Sequence, residues 1–120
     1  MRIAIDLDGV ICPVKRPDQC YADLEPLPGA VERLRELRAG GSYVIITTAR
    51  NMATCESNQG KVMKNVGKLT LDWLDQHGVE YDEIYFGKPN AEVYIDDRAI
   101  RFSTWGEIRI DELNRKARER

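Results

Sequence analysis

The chain has 120 residues, which fits one domain with a buried core. Apolar residues make up 42% and charged residues 32%, with a net charge of −2, so the composition excludes a disordered chain and argues against a nucleic-acid binder. No stretch approaches the ~20 apolar residues of a membrane span, and the first residues do not resemble a signal peptide.

Strands and helices alternate along the sequence. Val31, Leu34 and Leu37 recur every three residues, which predicts an amphipathic helix, whereas the β-branched run at 43–47 predicts a buried strand. In chain order we expect a strand at 2–5, a helix at 29–38, a strand at 43–47, a helix at 61–77, strands at 83–86 and 92–95, and a polar helix at 111–118. This order predicts an α/β fold: a single Rossmann-like domain of three layers over residues 1–120, with a mainly parallel sheet.

Polar residues follow each predicted strand. At or just beyond the strand ends lie, in turn, Asp6 and Asp8, Thr47 and Thr48, Lys88, and Asp96 and Asp97. Neighbouring parallel strands lie only ~4.8 Å apart, so these side chains are expected to converge beyond the carboxyl ends of the strands. Four carboxylates with one lysine call for a divalent cation, and oxygen ligands without Cys or His favour Mg²⁺.

The four motifs resemble those of the haloacid dehalogenase (HAD) superfamily of phosphatases, in the same order and across most of the chain. The resemblance implies that Asp6 attacks phosphorus and forms an aspartyl-phosphate. Asp8 would protonate the leaving alcohol and then activate the hydrolytic water. Mg²⁺ would be held by Asp6, by the Asp8 backbone carbonyl and by Asp96, and by Asp97 either directly or through water.

The same resemblance implies the substrate contacts. Thr48, preferred to Thr47, would bind a phosphate oxygen, and Lys88 would offset the charge of the phosphoryl group and of the nucleophile. Gly9 would let the chain turn sharply around the phosphate. Arg50 has two alternative roles, either a contact with the substrate or a salt bridge on the surface.

The gaps between motifs leave no room for a cap domain. This predicts either an open site that accepts a large substrate or a site that another subunit covers. A homo-oligomer is therefore one of the two alternatives. Ile45–Arg50, Trp73–Gly78, Phe86–Pro89 and Tyr94–Ile100 resemble small bacterial phosphatases of capsular polysaccharide biosynthesis. That resemblance implies a phosphorylated sugar as substrate. The polar stretch at 51–60 is where we expect substrate selectivity.

Other functions remain alternatives. A phospho-acceptor signalling domain also uses an Asp nucleophile and a Lys-Pro, although its motif order differs. A silent regulatory subunit of the same fold finds no support, since no motif residue is missing. A phosphotransferase would share the aspartyl-phosphate with a hydrolase. The three cysteines lack the spacing of a metal site, which predicts reduced thiols and a cytoplasmic location.

Overall fold

Three parallel strands, in the order β1-β2-β3, form the sheet of the computed structural model, which describes residues 1–119. The strands are β1 (Arg2–Asp6), β2 (Tyr43–Thr48) and β3 (Glu83–Phe86). The helices are α1 (Ala30–Ala39), α2 (Gln59–Val62), α3 (Lys68–Gln76) and α4 (Ile110–Arg118). Among residues 1–119, none of the helices has the length and apolar content needed to cross a membrane.

The core explains why these segments fold as predicted. The apolar side of α1 buries Leu34 and Leu37, and the middle strand β2 buries Val44 and Ile46. Burying side chains of this size contributes roughly 1.5–3 kcal/mol each. The predicted α/β class and the mainly parallel sheet are confirmed.

The helix predicted at 61–77 begins earlier and is interrupted. The side chain of Asn58 accepts a hydrogen bond from the Lys61 backbone N–H (3.0 Å) and caps α2. A π-helical turn, Met63–Gly67, then joins α2 to α3. A π-turn shifts the side chains that follow it around the helix axis, so it sets which α3 residues face the core.

The prediction of a strand at 92–95 is wrong, because the structure has no strand in that segment. β1 is therefore an edge strand of the sheet. Val93 is 71% and Ile95 is 99% exposed. Local contacts replace strand pairing, because the Tyr94 hydroxyl donates to the Pro89 carbonyl and the Asp96 carboxylate accepts from the Arg98 N–H (2.7 Å). Such side-chain to backbone bonds compete with a sheet ladder.

Candidate active site

The carboxyl ends of the three strands lie side by side because of their register. Asp6 pairs with Thr47 across β1 and β2, and Thr48 pairs with Phe86 across β2 and β3. The backbone N–H groups of Gly87 and Lys88 both donate to the Thr48 carbonyl at 3.1 Å. The sheet therefore brings the residues that follow β1 and those that follow β3 to one edge.

A tight loop follows β1 and carries Asp8. The Leu7 carbonyl accepts hydrogen bonds from the N–H groups of Val10 (3.3 Å), Ile11 (2.9 Å) and Cys12 (3.2 Å). Gly9 has a φ of +92°, in the left-handed region that favours glycine. The sharp turn predicted at Gly9 is thus present, whereas its contact with a phosphate stays a prediction.

A cleft of about 280 Å³ opens at this edge. It is lined by Asp6, Asp8, Val14, Lys15, Tyr21, Ala49, Arg50, Asn51, Lys88 and Tyr94. Three of the residues predicted to be catalytic, Asp6, Asp8 and Lys88, therefore share one cavity. Its charged groups and two tyrosines are compatible with a phosphorylated ligand that extends beyond its phosphate.

Asp6 and Lys88 form an ion pair at the cleft, with 3.5 Å between Lys88 Nζ and Asp6 Oδ1. Burial raises the pKa of the Asp6 carboxyl above its usual value, and the ammonium of Lys88 counteracts part of that rise. The Lys88 ammonium also lies over the ring of Tyr94, 4.4 Å from its centre. Lys88 is therefore placed to favour the ionised form that a nucleophilic carboxylate needs.

Arg50 is buried, so the interpretation that it forms a salt bridge on the surface is wrong. Its side chain is 1% exposed, and its Nε lies 2.9 Å from Asp8 Oδ2. Its Nη1 donates to Thr70 Oγ1 (3.1 Å), and its guanidinium stacks on the ring of Tyr21 at 4.0 Å. No sequence pattern indicates the contacts of Arg50 with Tyr21 and Thr70, because both residues are distant from Arg50 along the chain. Direct binding of substrate by Arg50 stays a prediction.

Thr48 is not among the residues that line the cleft. Its side chain is buried, with the whole residue 1% exposed, and its hydroxyl accepts a hydrogen bond from the Arg50 backbone N–H (3.1 Å). Thr47 is partly exposed and is the direct partner of Asp6 in the sheet. Since paired residues of neighbouring strands present their side chains on the same face, Thr47 shares the face of Asp6. The phosphate contact of Thr48 stays a prediction.

Cys12 lies beside Asp8, with 3.4 Å between its Sγ and Asp8 Oδ1. Burial, with a smaller contribution from the Asp8 charge, raises the pKa of this thiol to about 12. The thiol is therefore protonated at neutral pH and is a poor nucleophile.

Asp96 and Asp97 do not line the cleft. Both are exposed and lie in the segment that was predicted to follow a fourth strand. Within residues 1–119 no three His, Cys, Asp or Glu side chains come together as a metal cluster. The oxygens that do lie at the cleft, on Asp6 and Asp8, are of the hard type that Mg²⁺ prefers, so they fit this cation in kind.

A larger depression, of about 420 Å³, lies elsewhere, between the end of α1 and the segment before β3. Its charged groups are already paired. Arg35 contacts Glu80 at 2.9 Å, and Arg38 contacts Glu80 at 3.2 Å and Asp82 at 3.0 Å. These pairs join α1 to the start of β3, so the depression has a structural explanation.

Comparison with known proteins identifies relatives. The family described as "5′ nucleotidase, deoxy (Pyrimidine), cytosolic type C protein" matches residues 14–111. A crystal structure of a target protein from Vibrio cholerae is 36% identical, with a TM-score of 0.84, and the alignment covers 98% of this chain and 97% of that one. No curated protein sequence matches the chain.

One further solved structure is more distant. It is a D,D-heptose 1,7-bisphosphate phosphatase from B. bronchiseptica, crystallised with magnesium and phosphate. It is 19% identical, with a TM-score of 0.49, over 77% of this chain and 53% of that one. The family match begins after Asp6 and Asp8, so the roles of these two residues depend on the geometry at the strand ends.

Proposed function

Because the chain belongs to the family of cytosolic type C 5′ nucleotidases, and is therefore a phosphatase of the HAD superfamily, we propose that it hydrolyses phosphate monoesters through a covalent intermediate on Asp6. The observation that carries this proposal is the pair of carboxylates, Asp6 and Asp8, in one cleft with Lys88. Lys88 Nζ lies 3.5 Å from Asp6 Oδ1 and supports an ionised nucleophile.

In the proposed reaction, a carboxylate oxygen of Asp6 forms a bond to phosphorus as the bond from phosphorus to the leaving oxygen breaks. Asp8 gives its proton to that leaving oxygen, which departs as an alcohol. In the second half, Asp8 takes a proton from water while the water oxygen attacks phosphorus. The bond between Asp6 and phosphorus then breaks, which releases inorganic phosphate and restores both carboxyl groups.

We propose Mg²⁺ as the cofactor, held by the Asp6 carboxylate, the Asp8 backbone carbonyl, Asp96 and Asp97. When bound, the cation would neutralise negative charge on the phosphate and on the nucleophile. Asp6 and Asp8 are already at the cleft, whereas Asp96 and Asp97 lie in an exposed segment. Binding of the cation therefore requires this segment to approach the cleft.

This requirement predicts that Mg²⁺ protects the segment from proteolysis. Trypsin should cut after the exposed Arg98 and Arg101 in EDTA, and several-fold more slowly in saturating Mg²⁺, because ligand binding stabilises the bound conformation. The cleavage rate is measured by mass spectrometry. Asp96→Ala should abolish the protection, whereas Glu92→Ala, which changes another exposed carboxylate of the segment, should retain it. Equal cleavage with and without Mg²⁺ would remove Asp96 from the ligand set.

Two substrate classes are supported by different observations. The resemblance to phosphatases of capsular polysaccharide biosynthesis supports a phosphorylated sugar. The name of the matched family supports a pyrimidine deoxynucleotide. The cleft offers Tyr21 and Tyr94 as aromatic walls and Lys15 as a further cation, which suit either a sugar or a base beside the phosphate.

The deciding experiment is phosphate release from sugar phosphates, nucleoside 5′-monophosphates and 4-nitrophenyl phosphate, with Mg²⁺ or EDTA. We expect release that requires Mg²⁺, with kcat/KM for one class at least about tenfold above the other, which is a difference of 1.4 kcal/mol. An added alcohol acceptor tests for phosphotransfer. Absence of release from every compound would contradict the proposed function.

A further inference from the structure

The side chain of Arg50 is the most completely bonded charged group at the cleft. Its Nε lies 2.9 Å from Asp8 Oδ2 and 3.2 Å from Asp8 Oδ1, and its Nη2 lies 3.0 Å from Asp8 Oδ1. Planar guanidinium groups fix the orientation of a carboxylate in a way that a single ammonium does not. Arg50 therefore fixes the orientation of the Asp8 carboxylate plane.

The guanidinium is itself held from other directions. Nη1 donates to Thr70 Oγ1 at 3.1 Å, and Nη2 lies 3.6 Å from Cys12 Sγ. The ring of Tyr21 covers the guanidinium at 4.0 Å. With a side chain that is only 1% exposed, Arg50 has little freedom to turn toward a ligand. These contacts are those of a fixed support for Asp8 rather than of a group that binds phosphate.

The two oxygens of Asp8 are left in different situations. Oδ1 accepts from Nε and Nη2 of Arg50 and from the thiol of Cys12, at 3.2, 3.0 and 3.4 Å. Among residues 1–119, Oδ2 accepts only from Nε of Arg50. A carboxylate oxygen has about two acceptor positions, so Oδ1 is saturated and Oδ2 retains free capacity. The side chain of Asp8 is 24% exposed and lines the cleft, so this capacity can serve a ligand.

We propose that Arg50 is a positioning residue: it holds the Asp8 carboxylate so that Oδ2 is the oxygen that transfers the proton. This inference rests on the proposed function, in which Asp8 is the acid and base. The bond from Oδ2 to its proton breaks as the leaving oxygen gains that proton, and Oδ2 later regains a proton from the attacking water. Thr70 and Tyr21 act one step further away, by holding the guanidinium.

The test compares leaving groups, because a good leaving group needs little help from an acid. Arg50→Lys keeps a positive charge and loses the planar fork. We expect kcat/KM to fall roughly 10–100-fold for the best alkyl phosphate and less than about threefold for 4-nitrophenyl phosphate. This ratio reports only the steps up to formation of the phospho-enzyme. The inhibition constant of inorganic phosphate should stay within about twofold, since Arg50 is not assigned a contact with the phosphate.

Three further variants show whether the effect passes through Asp8. Asp8→Asn should show the same dependence on the leaving group, and adding Arg50→Lys to it should cause no further loss, as expected for residues that act as a unit. Thr70→Val preserves the shape of a buried side chain, removes the bond to Nη1, and should give a smaller loss of the same kind. It keeps the test decisive if Arg50→Lys does not fold.

Arg38→Lys is the matched control, because Arg38 also contacts two carboxylates but lies outside the cleft. It should leave both kcat/KM values unchanged. Equal losses for both leaving groups, additive losses in the double variant, or a weaker inhibition by phosphate would overturn the assignment of Arg50. A wild-type protein that releases no phosphate from any compound would instead contradict the proposed function itself.

Discussion

Asp6→Asn is expected to lower kcat by roughly 10⁴-fold or more, because an amide does not replace the carboxylate as a nucleophile. The geometry behind this expectation is the position of Asp6 at the end of β1, beside Lys88 and in the same cleft as Asp8. Phosphate release under saturating substrate and Mg²⁺ measures the loss. Trapping with acid followed by mass spectrometry should find a phosphorylated peptide in the wild type and none in the variant.

The same substitution should leave the fold intact. Burial raises the pKa of Asp6 above its reference of 3.8, so the neutral carboxyl favours the fold at low pH, and this advantage disappears as the pH rises through the folded-state pKa. At neutral pH an uncharged Asn removes the burden of a desolvated carboxylate, so we expect a Tm that is no lower than that of the wild type. Asp72→Asn, at an exposed pair with Lys68, is the control for a change of charge alone. If Asp6→Asn turned over substrate at the wild-type rate, the assignment of Asp6 as the nucleophile would be refuted.

Most of the fold follows from local patterns in the sequence. The spacing of Leu34 and Leu37 predicts α1, and the β-branched run of β2 predicts a buried strand. In the structure one face of β2 is fully buried and the other is partly exposed. Both patterns are strong because each segment buries its apolar residues against the same core. The parallel order of the strands follows from the helices that separate them, since a crossover of this kind connects parallel neighbours.

The segment at 92–95 shows where such patterns fail. Its apolar and β-branched residues predict a strand, but strand formation also requires a partner edge and the absence of competing local bonds. The turn of Asp96 with Arg98 and the contact of Tyr94 with Pro89 are local and favour the exposed conformation. The convergence of Asp96 and Asp97 with Asp6 was predicted from the end of this strand, so the two residues do not line the cleft, and their binding of a cation stays a proposal.

The site was predictable to the extent that it depends on strand ends. Asp6, Asp8 and Lys88 share the cleft because each lies at the end of a strand, or two residues beyond it, and the register of the strands is fixed. The surroundings of Arg50 were not predictable, because they join residues 20 or more positions apart through side chains. Periodicity reports which face of an element is buried, and it does not report which polar groups meet there.

Lys88→Met is expected to lower kcat/KM by roughly 10²–10³-fold, the usual effect of removing one group that stabilises developing negative charge. Methionine is an unbranched apolar side chain, so the variant removes the ammonium while much of the apolar stem is retained. The ammonium lies 3.5 Å from Asp6 and over the ring of Tyr94. Lys68→Met, at the exposed pair with Asp72, is the matched control and should leave kcat/KM unchanged.

The pH profile separates this electrostatic role from a general loss of structure. Lys88 holds the pKa of Asp6 below the value that burial alone would produce, so removing it should raise that pKa further. Since Asp6 attacks only when ionised, activity should then be lost at a higher pH as the solution is acidified. The acid limb of kcat/KM should therefore move to higher pH in Lys88→Met and return toward the wild-type position in Lys88→Arg, which restores the charge. An acid limb that stays in place in Lys88→Met would mean that Lys88 does not control the ionisation of the nucleophile, and its contribution would then have to come from contact with the phosphoryl group alone.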